Sequence, residues 1–237
     1  MDYYTVYQQS IQQPETFWKQ QALALDWYQF PNQILSKNAQ NYDAWFADGT
    51  LNLSYLCIDK HVHDGFGEQV ALIFDYPVKQ TIKKITFNEL QLQVAKLAGG
   101  LQTLGLQKGD TALIYMPMIP QAVYSMLACA RLGITHSVVF GGFAPHELAI
   151  RIDDCLPKVI LTASSGIEID RLLAYKPMVD EALQQCTHQP EHVVVYNRKL
   201  GAKVPFLKNN IDYEALVYGS EAVAPVAVGS SHPSYVL

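Results

Sequence analysis

Along residues 82–196 the apolar positions alternate between two periods. Short, almost wholly apolar runs at 111–115, 135–140, 159–163 and 193–196 have the pattern of strands buried on both faces. Between them, apolar residues fall three or four apart. Leu90, Val94, Leu97, Leu101 and Leu104 make one such stripe. Ala122, Val123, Met126, Leu127 and Ala130 make a second, and Leu148, Ile152 and Cys155 a third. The spacing predicts helices there and over 175–185, with a short helix at 212–217. A strand at 70–76 precedes the alternation, and a strand at 82–86 pairs with it or follows it. Strand and helix repeated in this order predict an α/β protein wound around parallel strands.

Punctuation residues agree with these elements. Thr86-Phe87-Asn88-Glu89 is a capping box, with Ile85 and Leu90 at staple positions. Gly105 and Gly133 stop helices, and Lys108-Gly109-Asp110 turns the chain into the run at 111–115. Pro145 suits a first helical turn, although Ala144 offers no side-chain cap. Residues 1 to about 66 are different: rich in Trp, Tyr and Phe, and irregular. Only Gln13-Pro14-Glu15 reads as a helix start, and Asp48-Gly49-Thr50 as a turn. Such a segment is expected to pack onto a larger body. An aromatic surface for bases or sugars is the alternative, but it lacks basic residues between the rings.

The 237 residues are 49 % hydrophobic and 16 % charged, which describes a globular protein with a core. The net charge of −5 and the lack of a dense basic patch argue against nucleic acid as a partner. Asn197-Arg198-Lys199, with Lys203 nearby, reads as a solvated hairpin tip. Cys57, Cys129, Cys155 and Cys186 form no C-x-x-C pair, so buried thiols in a reducing compartment are expected, and the cytoplasm is the placement. No stretch approaches the roughly 18 consecutive apolar residues of a membrane span.

Three groups carry candidate chemistry. His61 and His63 would share one face of a strand, a two-ligand metal geometry without an identifiable third ligand. Asp153-Asp154 is a carboxylate pair, read either as an acid/base dyad or as a solvated helix end. Gly141-Gly142 and Ser164-Ser165-Gly166 each end a strand and would share one rim of a parallel sheet, with Arg171 close by. Together they could hold a phosphate, or they could simply be turns that need small residues. No G-x-G-x-x-G or Walker pattern is present.

Specific motifs add a resemblance. Tyr115-Met116-Pro117-Met118-Ile119-Pro120, the stretch from Met126 through Gly133, and His136-Ser137-Val138-Val139-Phe140-Gly141-Gly142-Phe143 resemble the short-chain acyl-CoA synthetases of the AMP-forming adenylating superfamily. Phe17-Trp18 and the stretch from Trp45 to His61 resemble that family's N-terminal cap. The segments at 151–154, 165–168 and 174–177 look closer to propionyl- than to acetyl-CoA synthetases. The implied architecture is a cap segment over 1–66, followed over 67–237 by an incomplete wound α/β sheet of the acyl-adenylating domain. The implied reaction joins propionate or acetate to coenzyme A with ATP and Mg2+, through an acyl-adenylate.

The resemblance also implies which residues meet coenzyme A. Gly142 matches the glycine beside its path. Glu168-Ile169-Asp170-Arg171 matches the segment at its nucleotide end, with Arg171 the phosphate contact. Glu168 stands where the acetyl-type pattern has arginine, one cation fewer. The family's phosphate loop and catalytic lysine have no counterpart in these residues, so this sequence resembles the N-terminal third of a ligase, expected to be inactive alone and prone to self-association through an open sheet. No metal ligands or catalytic residues are assigned. A non-catalytic nucleotide-binding or interaction module is the alternative.

Overall fold

The computed structural model describes residues 2–168, 171–200, 207 and 209–237. The N-terminal segment carries helices α1 (Tyr3–Gln12) and α2 (Pro14–Ala22), the antiparallel pair β1 (Leu35–Lys37) and β2 (Asp43–Trp45), and the short strand β3 (Thr50–Leu51). Two π-helical turns, Tyr55–Asp59 and Val62–Phe66, lead to a hairpin of β4 (Val70–Tyr76) and β5 (Thr81–Thr86). Next come α3 (Phe87–Thr103), β6 (Thr111–Tyr115), α4 (Pro120–Leu132), β7 (Thr135–Val138), α5 (Pro145–Cys155) and β8 (Val159–Ala163). A small hairpin, β9 (Gly166–Glu168) and β10 (Arg171–Leu173), precedes α6 (Tyr175–Gln185) and β11 (His192–Tyr196). The remaining elements are β12 (Asn210–Asp212), α7 (Tyr213–Tyr218), β13 (Val228–Gly229) and β14 (Tyr235–Val236).

The central sheet has the order β12-β11-β8-β6-β7-β14, and every described pairing in it is parallel. Alternation along β6 sends Ala112 and Ile114 to one face and Leu113 and Tyr115 to the other. The first pair joins a core with Leu97 and Leu101 of α3 and Ala128 and Leu132 of α4. The second joins Leu148 and Ile152 of α5 and Val179 and Ala182 of α6. Helices on both faces explain why these strands are apolar throughout rather than alternating. Each fully buried Leu or Ile contributes roughly 1.5–3 kcal/mol of transfer free energy.

The capping box starts α3 as the sequence predicts. The Glu89 amide donates to Thr86 Oγ1 at 3.2 Å, and the Thr86 amide donates to Glu89 Oε2 at 2.9 Å. At the far end, Leu106 N–H donates to Leu101 O at 3.1 Å past Gly105, whose φ of +83° favours a residue without a Cβ.

The N-terminal segment is pinned to the end of α4. Arg131 makes a bidentate pair with Asp59 at 2.7 and 2.9 Å, and its Nε donates to Val223 O at 2.7 Å. The Asn52 amide donates to Ala130 O, Arg131 O and Val226 O at 3.0, 3.1 and 2.8 Å. Two of these acceptors are carbonyls of the last turn of α4, where intrahelical partners run out. Trp27 packs against Phe30 and Phe46, and its indole donates to Ala22 O at 2.8 Å.

Four local readings change. Residues 3–12 form a helix capped by Asp2 rather than an irregular stretch. None of its residues is buried, so no inward stripe marks it in the sequence. His61 and His63 lie in helical turns, not on a strand, and the His61 ring packs 4.7 Å from Phe87. The strand at 135–140 ends at Val138. The hairpin of β9 and β10 follows a turn that gives no alternating signal long enough to predict it.

Candidate functional site

The order of strands creates one obvious crevice. From β6 the chain moves to β7 on one side, then returns past β6 to β8 and continues outward to β11 and β12. Open parallel sheets bind ligands where the direction reverses, outside the carboxyl ends of the strands. That rim carries Met116 to Ile119 after β6, Gly141-Gly142 after β7, Ser164-Ser165 after β8, and Asn197-Arg198 after β11.

Tyr115 ties the rim together. Its hydroxyl donates within reach of Phe143 O at 2.9 Å and Gly141 O at 3.3 Å, and burial pushes its pKa up to about 12. Thr162 Oγ1 donates to Tyr115 O at 2.8 Å, across from β8 to β6. Tyr175, the first residue of α6, packs against Tyr115 with ring centroids 5.0 Å apart.

Tyr175 also explains two glycines. A Cβ at Gly141 would lie 2.0 Å from the Tyr175 hydroxyl oxygen, and one at Gly166 would lie 2.7 Å from Tyr175 Cε2. A Cβ at Gly142 would meet the Phe140 ring at 2.6 Å. None of the three has positive φ. Gly141 and Gly166 are therefore held to glycine by the buried Tyr175 ring rather than by left-handed backbone, whereas the ring beside Gly142 belongs to the exposed Phe140. Their turns are close-packed on the inner side, and Gly142 remains exposed on the outer side.

The structure places the expected coenzyme A residues on this rim as far as it describes them. Gly142 lies in the turn after β7. Arg171 opens β10, is exposed, and is in register with Glu168 across the small hairpin. Ile169 and Asp170 lie outside the described residues. Tyr175 joins the two regions, since it touches the β7 turn and the root of the hairpin. The carboxylate pair at 153–154 is engaged otherwise. Asp153 accepts the Thr187 and His188 amides at 2.8 and 2.7 Å, and these bonds, that of His188 foremost, hold its carboxyl below the usual value.

Comparisons with known proteins decide the family. The AMP-binding enzyme profile matches residues 60–236, and the acetyl-coenzyme A synthetase N-terminus profile matches residues 3–57. The chain belongs to the AMP-binding enzyme family. It is 44 % identical over 237 residues to rat acyl-CoA synthetase short-chain family member 3, mitochondrial, and covers 35 % of that protein. It is 40 % identical over 243 aligned residues to acetyl-coenzyme A synthetase of Pseudoalteromonas atlantica, covering 37 % of it. The acetoacetyl-CoA synthetase of Streptomyces lividans shares the fold, with a TM-score of 0.88 at 23 % identity, over all of this chain and 36 % of that one. The chain thus matches an N-terminal portion of a short-chain acyl-CoA synthetase and spans little more than a third of its curated relatives' length.

Two features of this AMP-binding family chain escape sequence reasoning. Tyr175 looks like an ordinary first helical residue, and only the fold brings it under both glycine turns. Arg198 is not a solvated hairpin tip but half-buried, with its guanidinium 5.4 Å from the Tyr76 ring centre and its Nη1 donating to Ser165 O at 3.3 Å. A cavity of about 440 Å³ lies away from the glycine turns, between β5, α3, α4, β11 and α7. Among the described residues, no three His, Cys, Asp or Glu side chains converge as metal ligands, and no helix is long and apolar enough to cross a membrane.

Proposed function

We propose that this chain is the coenzyme A side of an AMP-forming ligase for short-chain carboxylates, propionate or acetate. The complete reaction joins the carboxylate to coenzyme A through an acyl-adenylate, with ATP and Mg2+ consumed or required and AMP and pyrophosphate released. The family match over residues 60–236 carries this reading. Its support in the fold is a parallel sheet whose switch-point rim holds exposed Gly142 and exposed Arg171. Arg171, with Glu168 to Asp170 beside it, receives the nucleotide end, and the guanidinium fork suits a phosphate. Gly142 leaves the backbone open for the path of the ligand. The segment 1–66 acts as a cap docked on the ligase domain that begins at about residue 67. Four free cysteines favour a reducing compartment such as the cytoplasm.

These 237 residues are proposed to bind coenzyme A without catalysing thioester formation. Incubation with ATP, Mg2+, propionate and coenzyme A tests the second half, and robust thioester in that assay overturns it. Calorimetric titration with coenzyme A tests the first half: heat of binding is expected, and Arg171→Ala is expected to abolish it. Absence of any binding by the parent chain favours a merely structural role for this rim.

A further inference from the structure

We propose that Arg198, stacked on Tyr76, is a second phosphate-binding cation of the rim and takes a phosphate of the nucleotide end of coenzyme A. Arg198 follows β11, the neighbour of β8 in the sheet. Its backbone N–H donates to Ser164 Oγ at 3.0 Å, and its Nη1 donates to Ser165 O at 3.3 Å. The residue is thereby fastened to the turn from which the small hairpin springs. Its guanidinium carbon lies 5.4 Å from the centre of the Tyr76 ring.

Among the described residues, Arg198 has no anionic partner and the Tyr76 hydroxyl has no hydrogen-bond partner. Arg198 is half-buried yet forms no ion pair among the described residues, and only one of its side-chain N–H groups is engaged. The Tyr76 hydroxyl is buried without a hydrogen-bond partner. A guanidinium partly removed from water without an anion is unfavourable by itself, and a planar fork of donors matches phosphate oxygens. The other arginines are accounted for. Arg131 is paired with Asp59, Arg151 lies over the Phe143 ring, and Arg171 is exposed at the hairpin. The inference rests on the coenzyme A reading above, and Arg198 brings its cation to the rim from the end of β11, the strand next to β8.

The test is titration of the 237-residue chain with coenzyme A and, separately, with inorganic pyrophosphate. Arg198→Ala is expected to weaken coenzyme A binding about tenfold to a hundredfold, the range for a charge-assisted hydrogen bond. Arg198→Lys keeps the charge without the fork and should lose about tenfold or less; Tyr76→Phe keeps the ring and should lose severalfold. Should Arg198→Ala fail to fold by circular dichroism, the lysine and phenylalanine variants decide. Coenzyme A binding that disappears in Arg171→Ala but is unchanged in the Arg198 variants overturns this inference and leaves the coenzyme A reading intact. Pyrophosphate binding that depends on Arg198, in a chain that ignores coenzyme A, overturns the coenzyme A reading and keeps Arg198 as a phosphate ligand. Binding of neither compound overturns both.

Discussion

The two rims of the central sheet treat their charges in opposite ways. At the amino rim Arg131 and Lys158 each have a carboxylate partner. Arg131 is 4 % exposed and doubly bonded to Asp59, and Lys158 reaches Asp110 at 3.3 Å and Gly105 O at 2.7 Å. His232 and Gly109 both bond to Gly133 O, at 2.8 and 3.0 Å. At the carboxyl rim Lys176 is paired with Asp180, but Arg171 and Arg198 have no carboxylate among the described residues. The amino rim reads as a closed joint that fastens the N-terminal segment. The carboxyl rim leaves two of its arginines without a carboxylate partner among the described residues.

The comparison is broken most severely at Arg131. Arg131→Ala leaves Asp59 buried with no countercharge, and about 3–5 kcal/mol of stability should vanish in urea unfolding. A double replacement of Arg131 and Asp59 by apolar residues should recover part of that loss. If the single variant costs under about 1 kcal/mol, the joint is not the anchor described.

The packed inner side of the carboxyl rim comes next. Gly141→Ala drives a methyl group into Tyr175, and overpacking of this kind costs about 1–3 kcal/mol. Combining it with Tyr175→Phe, which removes the nearest atom, should reduce the penalty. Equal penalties in both backgrounds would show that the ring is not what forbids the side chain.

Arg198→Ala should sharpen the contrast by costing only about 1–2 kcal/mol in urea unfolding, well below Arg131→Ala, while it weakens ligand binding. A loss resembling that of Arg131→Ala would place Arg198 with the structural cations.

The smallest effect is acid sensitivity. Asp153 accepts backbone N–H groups chiefly from His188, and Asp48 chiefly from Gln33, and both carboxyls are held below their usual value. A depressed folded pKa adds stability above the unfolded value of roughly 3.9, and that share is lost as the pH falls through the folded value. Asp153→Asn should therefore flatten the fall in melting temperature below pH 4, and an unchanged profile would remove Asp153 from the account.

Much of the fold was legible because burial repeats along the chain. The stripe of α3 with its capping box, the run of β6, the glycine stops at Gly105 and Gly133, and the full extent of α6 all follow from local pattern. Helix α1 was not legible because it buries nothing, and His61 and His63 were misplaced because a two-residue alternation cannot tell a strand from a helical turn. Of the candidate site, spacing singles out the turns of Gly142 and Ser164-Ser165-Gly166 with Arg171 nearby but leaves them open between packing and binding, and only motif resemblance points to coenzyme A.

The sequence by itself determined an α/β chain wound around parallel strands, its helix ends and its family, since periodicity, caps and motifs are local properties. Only the tertiary structure decided why Gly141 and Gly166 are glycines, because the ring that excludes a side chain there belongs to Tyr175, on another element. Only it decided which arginines are matched. A countercharge such as Asp59 lies 72 residues from Arg131, and no local pattern spans such a separation.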